Sequence, residues 1–65
     1  MKDYQERVVK EKQELDEKIY SLAQFLTTPT FVNLHKDERT RLIAQYGTMR
    51  AYSYILGERI NNFDA

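Results

Sequence analysis

Cysteine and tryptophan are absent from this 65-residue chain, and His35 is its only histidine. Without cysteine there is no disulfide and no thiolate metal site. One histidine is too few for a zinc centre built from the protein alone. The single proline, Pro29, and the two glycines, Gly47 and Gly57, leave long stretches without a helix breaker. Two isolated glycines also make no glycine-rich phosphate loop. Neither sign of charge is in excess, because ten Lys and Arg face ten Asp and Glu. No global field therefore draws the chain to DNA or to an anionic membrane. No run approaches the roughly 18 apolar residues of a membrane span. The first six residues lack the apolar core of a signal peptide. These absences lead us to expect a cytoplasmic protein with no metal, no cofactor, no DNA partner and no membrane partner.

What is present points to helix. Residues 1–26 are rich in Glu, Lys, Gln and Leu, all good helix formers. Val8, Leu15, Ile19, Leu22 and Leu26 form one apolar stripe, with Lys12 at its one polar step. Asp3 and Arg7, Glu6 and Lys10, and Glu14 and Lys18 are spaced to pair across one turn on the outer face. The spacing predicts a first helix over 3–26. Thr27-Thr28-Pro29-Thr30 stops it, since the residue before a proline is pushed out of the helical region. Thr28 then caps a new turn with Pro29 at its first position. Phe31 and Leu34 fold that turn back onto the first helix. His35, with Glu38 three residues on, starts the next helix in the manner of a capping box.

Leu42, Tyr46, Met49, Ser53, Leu56, Ile60 and Phe63 follow at spacings of four and three, a heptad-like seam with one polar member. This predicts a second helix over 36–63. At 1.5 Å per residue the two helices span about 36 and 42 Å, similar enough to lie antiparallel across a connector at 27–35. The expected fold is all-α: one domain over 1–65, an antiparallel two-helix hairpin with a short connecting turn. Each helix has more apolar surface than one interface covers, with Val9, Tyr20, Ala23 and Phe25 off the first seam. Ile43, Tyr52, Tyr54 and Ile55 lie off the second. Small scaffolds without disulfides need further support, so assembly with further copies into a homo-oligomeric helical bundle is expected.

Catalysis has no foothold in this sequence. His35 stands at a helix start with no nucleophile in its pattern, and a capping or solvated role is the simpler account. Glu14, Asp16 and Glu17 read as a solvated charged face rather than metal ligands. Not an enzyme, the chain has no expected catalytic residues. One stripe remains. Ile43, Gly47, Arg50, Tyr54 and Gly57 share a second face of the second helix. Either this face packs closely against another helix, or Arg50 meets a phosphate or carboxylate while Tyr54 or Tyr46 stacks on a planar base. Tyr4 and Arg7 repeat the aromatic–guanidinium pairing near the start of the chain.

The pattern Arg7-Val8-Val9, Glu11-Lys12, Leu15-Asp16, Lys18-Ile19, Leu22 and Phe25-Leu26 runs along the first helix. Phe31, Leu34, Glu38-Arg39, Leu42-Ile43, Gln45, Met49, Tyr52, Ile55-Leu56 and Arg59-Ile60 continue it through the second. Together these residues resemble a family of short helical-hairpin proteins of tailed phages and prophages, among them crAss-phage-related proteins. Such proteins are similar in size and build to the phage sponges that counter CBASS immunity. Those sponges are oligomeric and hold cyclic oligonucleotide signals between protomers with aromatic and basic residues. The resemblance implies a counter-defence protein in the cytoplasm of an infected cell, with itself and a cyclic di- or trinucleotide as partners. No ligand motif transfers residue by residue, because likeness of fold does not fix a site. The candidate ligand residues Tyr4, Arg7, Lys18, Tyr46, Arg50 and Tyr54 are therefore chosen by residue type. The alternative is a small helical inhibitor or assembly factor that docks on a host or phage protein. Arg50 separates the two: a ligand site leaves it without an internal carboxylate partner, whereas a packed interface pairs or buries it.

Overall fold

The computed structural model describes residues 1–64. Three helices follow one another: α1 over Asp3–Phe25, α2 over Pro29–Val32 and α3 over Lys36–Asn61. At the start of α1 the backbone N–H of Lys2 donates to the Gln5 side chain at 2.9 Å, which satisfies one otherwise orphaned donor. The two threonines close α1. Their hydroxyls donate to the carbonyls of Gln24 and Phe25, each at 2.7 Å, and so take up acceptors that a helix end leaves without partners. Thr28 serves twice, since its oxygen also accepts from the Phe31 N–H at the start of α2. Arg39 donates back to the Val32 carbonyl at 3.1 Å, which ties α2 to the first turn of α3.

Several details differ from the expected boundaries and pairings, among them the end of α1 at Phe25. His35 does cap α3, its Nδ1 accepting from the Asp37 N–H at 3.1 Å. Glu38, however, binds Arg41 at 2.8 Å instead of completing a capping box. A bidentate-capable guanidinium one turn away is a stronger partner than a backbone amide. α3 also ends at Asn61, where Asn62 turns its side-chain amide to the Glu58 carbonyl at 2.7 Å. On α1 the observed ion pairs are Lys10–Glu14 and Lys12–Asp16. The expected Asp3–Arg7, Glu6–Lys10 and Glu14–Lys18 pairs do not form among the described residues, and exposed pairs of this kind contribute only tenths of a kcal/mol in any case.

α1 and α3 lie side by side over most of their length, giving a rod of 46 × 15 × 14 Å. Phe25 and Phe31 meet edge to face at 6.2 Å where the connector folds back. Tyr4 and Phe63 do the same at 6.0 Å at the open end. Between these two clasps the seam is thin. Val8 and Leu56 are the buried apolar side chains, and of these only Leu56 is fully enclosed. Leu15, Ile19, Leu22, Leu42, Met49 and Ile60 stay half-buried, because two cylinders touch along a line and leave both flanks open. Ser53 and Gln5 complete the buried set among the described residues.

Candidate functional site

The middle of the hairpin is polar, and the two polar exceptions in the apolar stripes create this layer by meeting each other. Lys12 on α1 donates from Nζ to Ser53 Oγ on α3 at 2.7 Å and to Asp16 Oδ2 at 3.1 Å. The Ser53 hydroxyl in turn donates to Asp16 Oδ1. Both carboxylate oxygens of Asp16 are thereby engaged, and Ser53 uses its oxygen as acceptor and its proton as donor. On the other flank the Tyr52 hydroxyl donates to Glu11. Gly57 lies against the stem of Lys12, where a methyl group would sit 3.5 Å from Cε. These contacts fix the register: position 12 opposes 53, and position 4 opposes 63.

The hydrogen bonds leave a mark on titration. The Ser53 hydroxyl holds the Asp16 carboxyl below its ordinary value; partial burial opposes this, and Lys12 adds a hydrogen bond and its charge. The Tyr52 hydroxyl is shifted upward, chiefly by its bond to the Glu11 carboxylate. The Asp16 shift has a defined sign in stability. A carboxyl with a lower folded-state pKa stabilises the fold above its unfolded value and loses that contribution as pH falls through its folded value. The melting temperature should therefore fall as the pH drops below the ordinary aspartate value of about 4, and less steeply in Asp16→Asn. Equal acid sensitivity of the two proteins, followed by circular dichroism, would assign the effect to other carboxylates.

The register also sorts the candidate ligand residues. At 100° per residue, Arg7 and Lys18 share the flank of α1 that carries Glu11, the flank closed by Tyr52. Arg50 and Tyr54 share the opposite flank, with Asp16 on α1. Within one chain the structure does not bring Lys18 and Arg7 to Arg50. Tyr4 packs edge to face with Phe63 at the open end, over two turns from Tyr54. Arg7 lines a shallow depression there with Asp3, Glu6 and Lys10, where two acids offset two bases. Gly57 also departs from its expected stripe, because it turns inward against Lys12.

Tyr46, Arg50 and Tyr54 do form a continuous feature. The Arg50 guanidinium lies over the Tyr46 ring, 5.6 Å from its centroid, an attraction between cation and ring quadrupole. Among the described residues no carboxylate lies within ion-pair distance of Arg50. Tyr54, one turn on, is 69% exposed, and Ile43 is 56% exposed. Gly47 lies between them on an open surface, where an added Cβ would meet nothing within 4 Å. Sequence reasoning passed over Tyr20 as a member of this face. Spaced four residues from Asp16, it stands on the same flank with 64% of its surface exposed, and its hydroxyl accepts from Gln24 at 2.8 Å. Its signal was the period of α1 combined with the antiparallel register, and only the second of these needed the structure.

Other chemistry is sparse. No group of three or more His, Asp or Glu capable of holding a metal ion occurs among the described residues. No helix among them is long and apolar enough to cross a membrane. His35 is spent on its cap and lies 3.7 Å from Asp37. The face built by Tyr20, Tyr46, Gly47, Arg50 and Tyr54 can therefore offer a guanidinium to an anion and flat rings to a planar group. No curated protein and no solved structure matches the chain. A family model does: Sequestin matches residues 2–62, nearly the full length, and the chain belongs to the Sequestin family.

Proposed function

We propose that this protein sequesters a cyclic oligonucleotide signal between subunits, without catalysis, as a phage-encoded counter-defence protein. The observation that carries the reading is Arg50. It is an exposed guanidinium with no carboxylate partner among the described residues, held over Tyr46 on the flank that also carries the open rings of Tyr54 and Tyr20. A cyclic oligonucleotide presents the complementary groups, phosphodiester anions for the guanidinium and bases for the rings. The family name denotes sequestration, and stoichiometric capture asks for no nucleophile or metal. Gly47 supports the same reading. A glycine in an exposed helix interior costs about 1 kcal/mol relative to alanine, and it clears space for a flat group to approach the backbone.

A second copy completes the site. Folded monomers of 7.8 kDa expose about 4,400 Å² by the usual scaling with mass, whereas this chain exposes 5108 Å². The excess of about 700 Å² is close to the roughly 800 Å² that each partner buries in a standard interface. In a subunit pair Arg7 or Lys18 of one chain can meet Arg50 of the other, a meeting that one hairpin does not provide. Because assembly is linked to folding by mass action, the melting temperature should rise with protein concentration over the micromolar range. Sedimentation of a stable monomer throughout that range would refute the assembly.

The direct test of the ligand is calorimetric titration of cyclic di- and trinucleotides into the purified protein at fixed salt. Saturable binding at one ligand per small number of subunits, with the nucleotide recovered intact, is the expected result. Absence of binding across the panel would leave the helical docking module as the function.

A further inference from the structure

Arg50 keeps its charge available although a carboxylate stands within reach. On α3 the positions one turn away are Tyr46, Gly47, Ser53 and Tyr54, and none is acidic. The acid supplied by α1 is Asp16, which accepts from Ser53. Ser53 is three residues from Arg50, so their Cβ atoms are neighbours about 5–6 Å apart. A guanidinium on its flexible stem spans that distance. The arginine turns the other way, onto the Tyr46 ring, while both oxygens of Asp16 are taken by Lys12 and Ser53.

We infer that Lys12 and Ser53 are positioning residues for Arg50: by binding both oxygens of Asp16 they hold that carboxylate against the seam, where it does not neutralise the guanidinium. The inference deepens the sequestering reading and rests on it for its functional consequence. Its structural part stands alone. The energetics favour the observed arrangement on simple grounds. Lys12 is largely sheltered and Ser53 is buried, so a Lys12 N–H and the Ser53 proton would each lose an acceptor if Asp16 swung outward. Arg50 is exposed and loses little by staying solvated over a ring. The same layer that sets the register of the hairpin thus sets the charge of the outer face.

The test separates Asp16 from the ligand. The Asp16 carboxyl is titrated by carbon NMR in the wild type, in Arg50→Ala, in Lys12→Met/Ser53→Ala and in the triple variant. Arg50→Ala should leave the Asp16 midpoint unchanged in the wild-type background. In the Lys12→Met/Ser53→Ala background it should raise the midpoint by about half a pH unit, because Arg50 has become the partner of Asp16. The same result in both backgrounds, whether a shift or none, would overturn the inference. Ser53→Ala alone changes no charge and serves if the double variant loses helix. Cyclic di-AMP affinity supplies the functional arm. It should fall up to about fivefold in Lys12→Met/Ser53→Ala, the most that an exposed competing ion pair produces. Adding Asp16→Asn should restore it, whereas a purely structural loss would not be rescued by removing a further partner. If no cyclic di- or trinucleotide of the panel binds the wild type, or if binding is indifferent to Arg50→Ala, the sequestering reading fails, and the carboxyl titration still decides the Asp16–Arg50 relation.

Discussion

Replacing Leu56 with aspartate is expected to abolish the fold, not merely to weaken a binding property. Leu56 is the one fully enclosed side chain of the seam. It lies one turn from Ser53, so the mutation would place a carboxylate deep in the helix contact. Lys12 lies at that level on α1, and both Ser53 and Asp16 already hold it. A buried charge without a partner costs several kcal/mol, and the enclosed leucine contributes about 2–3 kcal/mol of burial that is lost as well. A small domain has on the order of 5–10 kcal/mol to lose. Circular dichroism should show collapse of the helical signal at micromolar concentration. Retained helicity with unchanged hydrodynamic size would mean that the helices pack through another seam.

Arg50→Ala should have the opposite profile. Arg50 is exposed and touches the rest of the chain through the Tyr46 ring, so fold and melting temperature should change little. Affinity for a cyclic oligonucleotide should fall about ten- to a hundredfold, since a charge-assisted hydrogen bond contributes roughly 1.5–3 kcal/mol. Tyr54→Ala should cost a comparable factor, because stacking of a base on an aromatic ring is worth about 1–3 kcal/mol. Both are read by calorimetry at one salt concentration, as phosphate contacts are screened. If Arg50→Ala instead dissociates the oligomer while leaving the affinity per subunit intact, the residue belongs to a subunit interface.

The polar layer illustrates how far the sequence could be read. Lys12 and Ser53 each interrupt an apolar stripe, and each is visible as an exception in its own period. Their pairing was not visible, because periodicity places a residue on a face without saying which residue it opposes. Asp16 was harder still. From its neighbours it looked like one more acid on a solvated face, and its engagement with Ser53 depends on where α3 comes to rest. The capping of α3 shows the same limit at short range. His35 was legible as a cap, but Glu38 had two suitors, and Arg41 won through geometry and charge.

The sequence by itself determined the helices, the break at Thr27–Thr30 and the exclusion of disulfide and zinc chemistry. Each follows from local causes: propensity, proline geometry, and the presence or absence of a residue type. The tertiary structure decided which flank each candidate occupies. Of the six ligand residues chosen by type, Arg7 and Lys18 lie on the Tyr52 flank, Tyr46, Arg50 and Tyr54 go together on the Asp16 flank, and Tyr4 packs against Phe63 at the open end. The reason is that two antiparallel helices share a register that neither encodes alone. That register also brings Tyr20 onto the Arg50 face, turns Gly57 inward against Lys12, and leaves Gly47 facing open space.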